Sequence, residues 1–373
     1  MKRYTNKITI IVLCLITFCT FNSFCEDVLL PIHQNEHFGY ADQSGRIVIE
    51  PIYLSAGEFC EGFAKVSVYD ADVSGNNIRW TYIGTDGQML FPPKYEDAKS
   101  FCNGYARVCS GGLWGYIDKT GKQVVKCDFD DCWDFCEQRA LVYYKGSFGF
   151  IDESGKYITK PNLSGGSDFH EGKAAYKKGG KWGYIDKDGN VIIWNLYDKA
   201  KKFSEGLARV RLGKMWGYIN ADNKFVIQPV YEDSHSFSNG YARVKLNGKW
   251  GIINQKGTIV IPCEYDDILN ESEELIPVCK NGKWGYINSR NQLIIPIIYT
   301  EALPFSEGYA QVRVKNKWGY IGKYGTFAIL PDYEFCKPIS GGIACVGHRT
   351  LFSKSYSYLR VADGSVIWDS KQH

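Results

Sequence analysis

Lys181-Trp-Gly-Tyr-Ile-Asp186 is the ruler of this chain, because it returns with small changes at Lys249 to Asn254 and at Lys283 to Asn288. Its aromatic falls at Trp80, Trp114, Phe148, Trp182, Trp216, Trp250, Trp284 and Trp318, each 34 residues after the last. Phe38 leads at a gap of 42 and Phe352 trails at 34, which makes ten registered units. A fixed period of this length marks a repeat architecture, in which each unit buries its apolar face against a neighbour. Residues 26–373 therefore read as one array with atypical first and last units as caps, rather than as two or three domains.

Outward from the ruler, the stretch Phe237 to Pro262 is the clearest copy. Ala242, Val244 and Leu246 alternate with Arg243 and Lys245, the period-two pattern of a strand with one wet face. Asn247-Gly248, repeated as Asn281-Gly282, supplies the positive φ angles of a tight hairpin. In the next strand Trp250 and Ile252 point one way while Gly251 and Ile253 point the other, and the glycine leaves room for something bulky opposite. Seven residues after each aromatic stand Gly45, Gly87, Gly121, Gly155, Gly189, Asn223, Gly257, Asn291 and Gly325, the two residue types most at ease in the left-handed region. A third strand then ends at Pro262, Pro296 or Pro331, where the missing donor stops the ladder. The connector carries Tyr231, Tyr265, Tyr299 or Tyr333 and a returning Phe203, Phe237 or Phe305, aromatics suited to packing between repeats.

The expected fold is all-β: tandem 34-residue units, each a three-stranded antiparallel meander, in an open superhelical array. Closed β-propeller modules are the alternative, since propellers usually have about four to eight blades and ten units exceed that. Two stretches break the period. The first unit carries eight extra residues between Tyr69 and Arg79, a partial mimic of a calcium loop that has Thr81 where the last carboxylate belongs. Asn270-Glu-Ser-Glu-Glu274 replaces the usual Phe and Gly with an acidic edge.

Residues 1–25 differ in kind. Lys2, Arg3 and Lys7 precede an apolar run from Ile8 to Phe21, which reads as a secretory signal peptide and is short for a membrane span. Lipoprotein anchoring through Cys25 is the lesser alternative, as Phe24 stands where a small residue is wanted. Without the three basic residues of this segment the chain holds 41 basic against 41 acidic residues, so charge gives no reason to expect nucleic acid. Thirteen cysteines are present; Cys60, Cys102 and Cys136 share a repeat position with Ser204, Ser238 and Ser306, as small half-buried side chains would. Cys127, Cys132 and Cys136 suggest a local disulfide before a metal, for no paired CxxC or near histidine completes a zinc set.

Lys-Trp-Gly-Tyr-Ile-Asp-x-x-Gly, then Val-Ile-x-Pro-x-Tyr, then Phe-x-x-Gly-x-Ala-x-Val, resembles the bacterial WG-repeat (KWG-repeat) family across nearly all of residues 26–373. The resemblance implies a bacterial, often exported, β-repeat protein without a shared catalytic residue set. A more local likeness, from Asn281 to Asn291, is to choline-binding cell-wall repeats, whose period is shorter.

The function expected is that of an exported, non-catalytic scaffold that meets a protein or cell-surface polymer, without cofactor or metal. Glycan or choline-like binding through aromatic side chains is the alternative. Lys65, Arg107, Arg209 and Arg243 share one position on the wet face, but Leu141, Ala175, Pro277, Gln311 and Cys345 fill it elsewhere, so no binding residues are assigned. An enzyme is not expected. His33, His37, His170, His235, His348 and His373 have no ligand spacing, and Glu61, Glu171, Glu205 and Glu307 share a turn position and so are structural by repetition.

Overall fold

The computed structural model describes residues 29–70, 77–349 and 354–370. The leader-like segment 1–25 with Cys25, most of the insertion after Tyr69, Phe352 and His373 lie outside the described residues. Ten antiparallel sheets follow one another along the chain, each from contiguous sequence, and form the blades of a closed propeller. Blade 1 covers Leu30–Tyr53, blade 2 begins at Ser55, and blades 3 to 10 begin at Asp97, Asp131, Gly165, Lys199, Asp233, Asp267, Glu301 and Phe335.

The meanders have four strands rather than three in eight of the ten sheets. The extra strand is short, as in Asp97–Ala98, Asp131–Cys132 and Asp267–Ile268, and falls in the stretch read as a connector. Two residues are too few to show a period. The last strand also runs through its proline: Ile259–Tyr265 contains Pro262, and Trp250 pairs with Tyr265. It is the edge of its sheet, so the proline removes no ladder bond on its unpaired side.

The open array is overturned at the seam. Tyr358 donates its hydroxyl to Pro31 O at 3.0 Å, and Leu30, Ile32 and Ala41 share one buried cluster with Ile343, Cys345, Tyr358 and Trp368. Lys337 also meets Glu58 at 3.1 Å. Among the described residues no strand crosses the seam, and blade 1 meets blade 10 through Leu30–Gln34, the counterpart of the second strand elsewhere, since Pro31 faces Tyr40 as Arg107 faces Tyr116. The expected register fails in blade 10 too, because Gly347 faces Tyr356 where Arg313 faces Trp318, so Tyr356 rather than Phe352 holds the aromatic position.

The glycine after the aromatic accommodates backbone, not a bulky side chain. A Cβ on Gly183 would lie 2.3 Å from Ile193 O, and one on Gly217 would lie 2.7 Å from Ile227 O. The outer strand bulges there: Trp216 pairs with Tyr231 but Tyr218 with Ile227, two extra residues on one side. Blade 2 has Thr81 at this position. Its outer strand is reduced to the isolated bridges Trp80↔Tyr95 and Ile83↔Met89, and Thr81 Oγ1 donates to Phe91 O at 2.6 Å. The αL turns are as expected, with Gly257 at φ 81° and Asn291 at φ 61°.

Candidate functional site

In blades 2 to 10 the first strand, short in all but blade 6, lies at the inner edge of the ring, and in the four-stranded blades the fourth strand forms the outer rim, where Trp194 and Leu330 are each 71% exposed. Three contacts recur where one blade meets the next. In the first, the tyrosine of the repeated stretch, fully buried, donates to a carbonyl of the next blade's inner edge: Tyr116 to Trp133 O at 2.6 Å, Tyr184 to Lys201 O at 2.7 Å, Tyr218 to His235 O at 2.7 Å. Its ring meets the connector phenylalanine, with centroids 4.6 Å apart for Tyr116–Phe135 and 4.9 Å for Tyr218–Phe237. Burial raises these phenols above their usual pKa, so they stay donors.

In the second contact, the turn glutamate accepts backbone N–H groups of the next blade's turn, as Glu61 does from Asn103 and Gly104, Glu171 from Gly206, and Glu273 from Gly308. The third belongs to the second strand. Arg107 reaches the next inner edge, donating to Cys132 O at 2.8 Å and pairing with Asp134 at 2.7 Å. The expected wet face is thus no wet face: Leu141, Ala175, Gln311 and Cys345 at this position are all buried, because neighbouring blades cover both faces of the strand.

The joint between blades 7 and 8 lacks all three contacts in this form. Ile252 stands where the tyrosine should be, and Glu271 where the phenylalanine should be. Asn239 replaces the turn glutamate, and Glu274, at φ 72°, takes the place of the turn glycine. Arg243 still reaches Ile268 O, at 2.6 Å, but Asn270 occupies the place of Asp134. A crevice opens there, lined by Arg243, Tyr241, Asn239, Ile252, Asn270 and Glu271, with about 30 Å³ of free space. Among the described joints this one alone replaces the tyrosine, the phenylalanine and the turn glutamate together. Blade 4 has Phe150 for the tyrosine, yet keeps the ring contact with Phe169 and the bond from Gly172 to Glu137.

His235 links the neighbouring joint to this one. Its Nδ1 lies 3.0 Å from Arg243 Nη2 and its ring lies 5.4 Å from Trp250. Burial, then Arg243 and Arg209, push its pKa down to about 4, so it is neutral near pH 7 and accepts from the guanidinium. A larger pocket of about 420 Å³ lies along blades 8 to 10, lined by Leu303, Pro304, Phe305, Tyr309, Pro338 and Ile339 among others.

Several of the repeated indoles have a cation over the ring, which makes them poor platforms for a sugar: Lys65 lies 4.8 Å from Trp80 and Arg209 4.5 Å from Trp216. The ten described cysteines after residue 29 are thiols, so the disulfide expected among Cys127, Cys132 and Cys136 is not formed. These three stand on different segments, and burial pushes both Cys132 and Cys136 up to about 12. Among the described residues no group of three or more His, Cys, Asp or Glu side chains could hold a metal ion, and no helix is long and apolar enough to cross a membrane.

The family model described as WG containing repeat matches nine consecutive segments: residues 38–70, 80–114, 114–146, 148–182, 182–216, 216–250, 250–284, 284–318 and 318–347. The chain belongs to the WG-repeat family. Among curated proteins none matches this WG-repeat chain. Distant matches among solved structures include the extracellular domain of a hybrid two-component system from B. thetaiotaomicron, at 12% identity and TM-score 0.32, covering 91% of this chain and 61% of that one. The dihydro-heme d1 dehydrogenase NirN is 12% identical with TM-score 0.42, covering 92% and 77%, and a eukaryotic initiation factor is 11% identical with TM-score 0.38, covering 94% and 89%. Likeness this distant carries no argument about activity.

Proposed function

We propose that this WG-repeat ring is an exported, non-catalytic binding protein, and that its protein or polymer partner engages the joint between blades 7 and 8. One observation carries the reading: at this joint the tyrosine, the connector phenylalanine and the turn glutamate of the repeat are replaced together, leaving a crevice whose lining mixes Arg243, Asn270 and Glu271 with Ile252, Val260 and Ile261. A site that binds must depart from the repeat, because residues fixed by ring closure are already engaged with the neighbouring blade. Its free space suits a small group at the end of a partner's side chain or sugar unit rather than a whole substrate.

The reading is tested by restoring the repeat. Wild-type ring and the Ile252→Tyr/Glu271→Phe variant are immobilised and exposed to the same cell-envelope extract. A partner held by the wild type and lost by the variant supports the proposal. Equal retention by both, or chemical turnover of the retained molecule, contradicts it.

A further inference from the structure

Arg107, Arg209 and Arg243 hold the same repeat position and do not have the same company. Arg107 has the carboxylate of Asp134, 27 residues on, at 2.7 Å. The residues 27 beyond Arg209 and Arg243 are Ser236 and Asn270. Among the described carboxylates Arg209 pairs with Asp233, 3.7 Å from Nη1, which already accepts from Ser234 N at 2.7 Å, and its guanidinium lies over the Trp216 ring. Near Arg243 stands Asp267, which accepts from Ile268 N at 2.8 Å. Arg209 Nη1 and Arg243 Nε are buried atoms without a hydrogen-bond partner. An unpaired buried guanidinium N–H loses about 1–3 kcal/mol of hydration with nothing in return.

More positive charge lies close by. The inner strand of blade 6 reads Lys199-Ala-Lys201-Lys202, and it is six residues long where most inner strands have two. Burial, then Arg209 and Lys199, lowers the pKa of Lys201, and burial lowers that of Arg209 despite Asp233. At Arg107 burial also works against the charge, yet Asp134 and Cys132 prevail and the pKa is raised. The two settings differ by one carboxylate per arginine.

We propose that Arg209 and Arg243, with Lys201 beside Arg209, form an oxoanion site at the inner edge of blades 6 and 7, for a carboxylate or phosphate group. The guanidinium fork matches either anion, and the anion supplies the charge that Asp134 supplies to Arg107. This deepens the partner reading above, since the site adjoins the open joint through Arg243 and makes the partner an anionic one.

The test is the thermal midpoint of the intact protein at low ionic strength, titrated with inorganic phosphate in one arm and glucuronate in the other. The arm that raises the midpoint of the wild type identifies the anion, and Arg209→Gln/Arg243→Gln should weaken that response at least tenfold in apparent Kd while Arg107→Gln leaves it unchanged. Ser236→Asp/Asn270→Asp provides the missing carboxylates within the chain and, with an unchanged circular-dichroism spectrum as the check on folding, should likewise abolish the response. No response to either anion in the wild type, or the same response in Ser236→Asp/Asn270→Asp, overturns the site. Loss of the anion site with the partner still captured would leave the proposed function standing. Anion binding together with equal partner capture by the repaired joint would remove the function and keep the site.

Discussion

The joint between blades 3 and 4 and the joint between blades 7 and 8 are built at the same repeat positions, and only the first is closed by them. Tyr116, Phe135 and the Arg107–Asp134 pair interlock the one; Ile252, Glu271 and Arg243 opposite Asn270 leave the other open. Both have the same backbone pairing, since Ala106 faces Ile117 and Ala242 faces Ile253. The difference teaches that sheet formation in this fold is secured within a blade, whereas side chains at each joint decide whether neighbours are locked or accessible.

The harshest way to break the comparison is to give the closed joint the residues of the open one. Tyr116→Ile/Phe135→Glu removes two buried rings and places a carboxylate among apolar groups. A loss of about 4 kcal/mol or more is expected, read as a large fall in the denaturant midpoint. An intact midpoint would mean that the ring contacts are incidental.

A smaller effect separates the arginines. Arg107→Gln leaves the half-buried Asp134 without its partner and should destabilise by about 2 kcal/mol, whereas Arg243→Gln gives up its bonds to Ile268 O and His235 Nδ1 but orphans no carboxylate and should cost about 1 kcal/mol. Equal losses at the two sites would erase the distinction between them.

Smallest is the effect of acid. His235 has a folded-state pKa of about 4, below its unfolded value, so the unfolded chain binds the proton first and stability falls as the pH drops from about 6.5 toward 4. Asp42 and Glu334, both held down to about 2, contribute their losses only at lower pH, as their unfolded forms take up protons. His170, also lowered by burial, adds in the same direction as His235. His235→Gln should therefore flatten part, not all, of the decline in thermal midpoint between pH 6.5 and 4.5.

Much of the architecture was legible in the chain. The period, the second and third strands, and the αL turn at Gly257 or Asn291 follow from local chemistry that each copy repeats. The inner strands were not legible, because Asp267–Ile268 is too short to carry a pattern. Closure was missed because it rests on Tyr358 meeting Pro31, a contact across 327 residues that no repeat unit contains. The open joint left a partial trace: Asn270 to Glu274 stood out as an acidic break, but its pairing with Ile252 appears only once blades 7 and 8 are side by side. The cationic position was visible, and its burial was not, since alternation along one strand says nothing about the neighbouring sheet.

The most direct test is the thermal midpoint of the Ile252→Tyr/Glu271→Phe variant beside that of the wild type. If blades 7 and 8 are held open at the expense of packing, restoring the tyrosine and phenylalanine should stabilise the ring by about 1–2 kcal/mol, a rise in midpoint of a few degrees. An unchanged or lower midpoint would contradict the account, because it would show that Ile252 and Glu271 already close the joint as well as the repeat can.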